Sequence, residues 1–91
     1  SDYLDINKRN KRLEEIMIGL INNEAVLFSP DDIQPLLKVP NRDVRAALAS
    51  REGVEELLSI DDIKSLINDP DPLVRTNAAS NTGILLRFVS S

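Results

Sequence analysis

The chain has 91 residues, with 11 Lys and Arg against 15 Asp and Glu, for a formal net charge of −4. It contains no Cys and no His, which excludes disulfides, thiolate metal sites and thiol nucleophiles and removes the commonest general base. Aromatic residues are only Tyr3, Phe28 and Phe88, too few to form a stacking platform for bases, and the acidic balance argues against nonspecific nucleic-acid binding.

A chain of this length builds one domain. No apolar run approaches the roughly 18 residues of a membrane span and no signal peptide is visible, so a cytoplasmic, membrane-free protein is expected. Opening at Ser1 rather than Met, the chain is expected to be processed, tagged or cut from something longer.

In chain order, residues 7–22 read as the longest helix. Leu13, Ile16, Met17, Leu20 and Ile21 recur at the spacing of one buried helical face, and Ile18 falls off that stripe. Lys8, Arg9, Lys11 and Arg12 form a basic cluster at the start of this helix, where positive charge opposes the helix dipole. The cluster is either a solvated first turn or a contact for nucleic-acid phosphates. Residues 1–28 are expected to cap the N-terminal end as a degenerate half-repeat.

Residues 29–58 and 59–88 then form two copies of one unit, with eleven identical positions at an offset of 30 and no gap. The shared residues include Ser29/Ser59, Asp31/Asp61, Asp32/Asp62, Ile33/Ile63, Leu36/Leu66, Pro40/Pro70, Val44/Val74, Arg45/Arg75 and Gly53/Gly83. A fixed period in this range marks stacked repeats. Each copy divides into three short segments. The first opens on a Ser cap followed by Asp in the first turn, with Pro30 at a first helical position. Pro40 and Pro70 end it, because proline disfavours a helical residue before it. The second starts at Asn41 or Asp71, both good caps, and turns Val44, Ala47 and Leu48 inward in one copy and Val74, Ala78 and Ala79 in the other. Gly53 and Gly83 suit a left-handed position beyond its end. The third, Val54–Leu58 or Ile84–Phe88, is about one helical turn. No stretch alternates in polarity as a strand would.

The run Asp69-Pro70-Asp71-Pro72-Leu73-Val74-Arg75, followed by Ala78-Ala79-Ser80-Asn81, resembles HEAT-like repeats and, more closely, the leucine-rich repeat variant. The first copy matches less fully, with Val39-Pro40-Asn41-Arg42-Asp43-Val44-Arg45. The resemblance covers about two thirds of the chain. It implies an all-α fold, a short right-handed α-solenoid of two 30-residue repeats (29–58 and 59–91, the latter with the tail) behind the cap 1–28. The cysteine-bearing iron–sulfur segment found in some leucine-rich repeat variant proteins has no counterpart here.

Several residues invite a chemical reading. The Asp31/Asp32 and Asp61/Asp62 pairs offer carboxylates, but helix capping accounts for them and adjacent residues do not share a helix face. Arg45 and Arg75 are either anion contacts or members of a structural ladder, with Asp71 the first partner expected for Arg75. Gly19, Gly53 and Gly83 stand alone and make no phosphate loop. No enzymatic activity, cofactor or metal site is expected. Glu55 and Glu56 of the first copy become Leu85 and Leu86 in the second, and Phe88 and Val89 extend the apolar run where a terminal repeat should turn polar. This face either contacts a partner, including a second copy of the chain, or folds back on its own helices.

The expected role is protein–protein interaction through equivalent positions of successive repeats: Arg42, Asp43, Arg51, Glu52, Asn77, Asn81 and Thr82, together with Leu85, Leu86 and Phe88. The alternatives are nucleic-acid binding through Lys8, Arg9, Lys11 and Arg12, and neutralisation of a basic partner by a small acidic immunity- or inhibitor-type protein.

Overall fold

Ser29 and Ser59 open the two copies in the same way. Each hydroxyl accepts the N–H of the aspartate three residues on, at 3.3 Å for Asp32 and 3.1 Å for Asp62. Each aspartate accepts the serine N–H in return, at 2.9 and 3.1 Å. Two orphan donors are thus satisfied at each helix start. Asn41 and Asp71 cap the next helices by accepting from Asp43 N at 2.7 Å and Leu73 N at 2.9 Å.

The computed structural model describes the backbone from Asp2 and the side chains from Lys8 onward, so Tyr3 and the other side chains of residues 1–7 lie outside the described residues. The elements are α1 (Asp2–Ile21), α2 (Pro30–Leu37), α3 (Arg42–Ser50), a 3-10 turn (Val54–Leu57), α4 (Ile60–Ile67), α5 (Pro72–Ser80) and α6 (Thr82–Val89). The fold is all-helical, with no strand among the described residues. The offset of 30 is kept at both ends of α2/α4 and of α3/α5. α3 packs most extensively on α5; α1 lies against α3, and α6 against α4, α5 and the 3-10 turn. The body measures 51 × 29 × 19 Å. No helix among the described residues is long and apolar enough to cross a membrane.

Ile33, Ile63, Val44 and Val74 are completely buried as matched pairs, with Leu48, Val54, Leu66, Ala78 and Ile84 between them. Leu36, the counterpart of Leu66, is only partly buried and packs against the edge of this core.

Four expectations need correction. First, α1 starts at Asp2 rather than Asn7, and it buries a different face. Ile21 is buried and Ile18 packs on the core, whereas Leu13, Ile16 and Leu20 stay exposed. The apolar arc of α1 is wider than its main neighbour, α3, covers. Second, only Gly53 is left-handed, at φ 86°. Gly83 lies inside α6, because Asn81, standing where the first copy has Arg51, accepts from Gly83 N at 3.1 Å and Ile84 N at 3.4 Å and caps a new helix. A side chain at Gly83 would meet the Glu55 carboxylate, the movable end of a flexible side chain. Third, the last segments of the copies differ: a four-residue 3-10 turn in one and the eight-residue α6 in the other. Fourth, Ala79 is exposed, although its counterpart Ala49 is completely buried beneath α5.

Candidate functional site

Several long-range side-chain contacts reach back about 30 residues along the chain. Arg51 donates to Ile21 O at 2.8 Å and Asn23 O at 3.1 Å, donates again to Val26 O, and holds its guanidinium 4.8 Å from the centre of the Phe28 ring. It closes the C-terminal end of α1, where free carbonyls and the negative end of the helix dipole favour a cation. Asn81, its counterpart, does the same for α3, donating to Ala49 O at 2.9 Å and Arg51 O at 3.1 Å. Asn77 donates to Ala46 O at 3.2 Å, and Arg87 to Glu55 O and Leu58 O. Gln34 ties α2 to α4 through Asp62 at 2.7 Å.

Arg45 and Arg75 occupy one position in the two copies and begin with the same bonds. Arg45 Nη1 donates to Val39 O and Pro40 O at 2.9 and 2.8 Å; Arg75 Nη1 donates to Asp69 O and Pro70 O at 2.7 and 3.1 Å. Beyond that they diverge. Arg45 directs Nε and Nη2 at the Asp69 carboxylate, 2.9 and 3.1 Å away, in the forked geometry that makes such pairs strong. Asp69 also accepts Asp71 N at 2.9 Å and is 6% exposed. Burial alone would raise the Asp69 pKa. The Arg45 fork, the Asp71 N–H and the charges of Arg45 and Arg75 outweigh it and hold the carboxyl below its usual range. Arg75 has no carboxylate within reach among the described residues, and its side chain is exposed. Asp71, expected as its partner, pairs instead with Arg42 at 3.6 Å.

No family model, curated protein or solved structure matches this chain.

The residues singled out from the sequence fall into two groups. Arg51, Asn77 and Asn81 are half-buried and occupied in these long-range bonds. Phe88 is half-buried and packs on the core. Arg42, Asp43, Glu52, Thr82, Leu85 and Leu86 are exposed. Leu86 at 60% and Val89 at 69% stand out on α6, matched at the other end of the body by Leu13 at 52% and Ile16 at 58% on α1. Lys8, Arg9, Lys11 and Arg12 are all exposed on α1, spread over an arc of about 160° rather than aligned on one face.

An open depression of about 400 Å³ lies between the ends of α1 and α3, lined by Ile21, Asn22, Glu24, Ser50, Arg51 and Glu52. The one cation in it, Arg51, already answers three carbonyls. Among the described residues no group of three carboxylates is placed to hold a metal ion.

Two functional features escaped the sequence reading. One is Asp69, which stands where the first copy has Val39. It opens the Asp69-Pro70-Asp71 run quoted above, but its pairing with Arg45, 24 residues earlier, was not foreseen. The other is the exposed row Leu13, Ile16 and Leu20, which no sequence pattern distinguishes from a buried stripe.

Proposed function

We propose that the chain is a short right-handed α-solenoid that works without catalysis, as a module binding another protein. The observation that carries this reading is the distribution of apolar side chains. Both end helices leave large apolar side chains in water, Leu13, Ile16 and Leu20 on α1 and Leu85, Leu86 and Val89 on α6; between them only Leu27 and Leu73 of this kind are exposed among the described residues. Contiguous patches of this kind on a folded chain mark contact surfaces. The matched positions of α2/α4 and α3/α5 support the solenoid reading, since stacked units meet only their neighbours and present their ends and edges for binding.

The test is affinity capture from the native source with the 91-residue chain as bait. A partner retained at stoichiometric level by the wild type, and lost with Leu86→Glu plus Val89→Glu or with Leu13→Glu plus Ile16→Glu at unchanged helicity, supports the reading. A bait that retains nacked nucleic acid in a steeply salt-dependent manner, lost on replacing Lys8, Arg9, Lys11 and Arg12, would replace it with the nucleic-acid alternative.

A further inference from the structure

We infer that the face formed by α5 and α6 docks a helical protein segment whose aspartate or glutamate completes the fork of Arg75; this rests on the protein-binding reading above. Corresponding positions in the two copies differ in what covers them. On α3, Arg45, Ala46 and Ala49 form the face on which α5 stacks: Ala46 and Ala49 are buried, and Arg45 takes Asp69 from the incoming unit. The same positions on α5 are Arg75, Thr76 and Ala79, and all three are exposed. Leu85 stands where the first copy has Glu55, whose side chain lies against Gly83 of the next unit. The α5–α6 end therefore repeats a surface that is covered one unit earlier, with small residues for close helix approach and an apolar margin.

Arg75 supplies the specificity. Its Nη1 is fixed by Asp69 O and Pro70 O, as Arg45 is fixed by Val39 O and Pro40 O. The guanidinium is thus oriented in advance, and its Nε and Nη2 have no acceptor among the described residues. A carboxylate arriving there makes the same two-pronged bond that Asp69 makes with Arg45, with little further side-chain ordering.

Charge argues against a second copy as the occupant. Residues 72–91 contain Arg75 and Arg87 and no Asp or Glu, so two copies joined at this face would set arginine against arginine. Head-to-tail stacking would bring up α1, where Lys8, Arg9, Lys11 and Arg12 balance Asp2, Asp5, Glu14 and Glu15, so that this helix carries no net negative charge to Arg75. Its Glu14 is already engaged by Asn41. The partner is accordingly a different helical surface with an acid near a helix start and small or apolar residues beside it.

A probe of known chemistry is available in the chain itself. Extending the full chain after Phe88 with another copy of residues 59–88 places an aspartate 24 residues beyond Arg75, the separation of Arg45 and Asp69. The extended chain should unfold at a higher urea concentration than the original. Most of that rise should vanish with Arg75→Ala, and equally with Asp69→Asn in the appended copy alone, which leaves residues 1–88 untouched. A rise unaffected by either change, or no rise, overturns the assignment. In capture from the native source, Arg75→Glu should reduce the bound partner about tenfold or more, the scale expected for losing one member of an interfacial charge pair, while Arg9→Glu leaves it unchanged. Capture indifferent to Arg75→Glu but lost with Leu13→Glu plus Ile16→Glu rejects this site and keeps the protein-binding reading. Capture of no partner by any bait rejects both.

Discussion

Replacing Asp69 with Ala should be among the most damaging single changes in the chain. The carboxylate accepts from Arg45 Nε at 2.9 Å, Arg45 Nη2 at 3.1 Å and Asp71 N at 2.9 Å. The side chains of Arg45 and Asp69 are 14% and 8% exposed. An exposed ion pair contributes about 0–1 kcal/mol, whereas breaking a buried one costs about 3–5 kcal/mol because the remaining charge is stranded. The low exposure puts this pair near the second limit, and the carbonyl bonds that Arg45 keeps soften the loss, so about 3 kcal/mol is expected. Asp69→Asn retains one acceptor and the shape and should cost about half as much. Urea unfolding followed by far-ultraviolet circular dichroism reads both, and a double-mutant cycle with Arg45→Ala should give a coupling of about 1.5–3 kcal/mol. A loss below about 1 kcal/mol for Asp69→Ala, or a coupling near zero, would refute the view that this pair ties α3 to the loop before α5.

Other expectations follow from the same contacts. Asp32, Asp62 and Asp69 have pKa values below those of free carboxylates. The Ser29 N–H and hydroxyl lower the first. For the other two, burial pushes upward but is outweighed: by Gln34, Ser59 and Lys38 at Asp62, and by Arg45, Asp71 N and Arg75 at Asp69. Their stabilisation is therefore complete above the ordinary carboxylate pKa of about 4 and disappears as pH falls through the folded-state values; an acid titration of the unfolding midpoint should show this, with a shallower slope in Asp69→Asn. Gly53→Ala should cost about 1–2 kcal/mol for its left-handed backbone. Gly83→Ala should cost less than Gly53→Ala in thermal unfolding, because its methyl meets only the Glu55 carboxylate, the movable end of a flexible side chain, and its backbone is helical. Ile63→Ala should cost about 2–5 kcal/mol, and Leu13→Ala under about 0.5 kcal/mol, in urea titrations; equal losses would contradict the assigned core.

The element boundaries were the most legible part of the fold. Ser-x-x-Asp before an apolar pattern, Asn41 and Asp71 as caps, and Pro40 and Pro70 as stops are local signals, and local hydrogen bonds decide where a helix starts. The matched core, Ile33/Ile63 and Val44/Val74, was legible because duplication places equivalent residues in equivalent surroundings. What escaped was decided by neighbours rather than by the chain's own period. Ala79 has the pattern of a buried residue but nothing stacks on it, and Leu13, Ile16 and Leu20 outnumber what α3 can cover. Gly83 has the composition of a turn, yet Asn81 caps a helix there and the residues after it differ from those after Gly53, so the glycine falls in the first turn of α6. Of the candidate surface, the sequence identified the apolar change at Leu85 and Leu86. It did not separate the two arginines, because the difference between Arg45 and Arg75 is the presence or absence of Asp69 across a gap.

Arg51 has a further consequence for how the molecule opens. It fastens the end of α1 through Ile21 O, Asn23 O and Val26 O, 25 to 30 residues back, and the bonds among the later helices likewise span 24 to 32 residues but pass through other side chains. Nothing in that pattern obliges the two ends to melt together. The first helix can detach as a partial unfolding event while the remaining helices keep their partners, so its amide protons should exchange with deuterium at a lower free energy than those of α3 and α5. The 20-residue α1 would then behave as a latch on the body, held by the Arg51 guanidinium, the Asn41–Glu14 bond and the packing of Ile18 and Ile21.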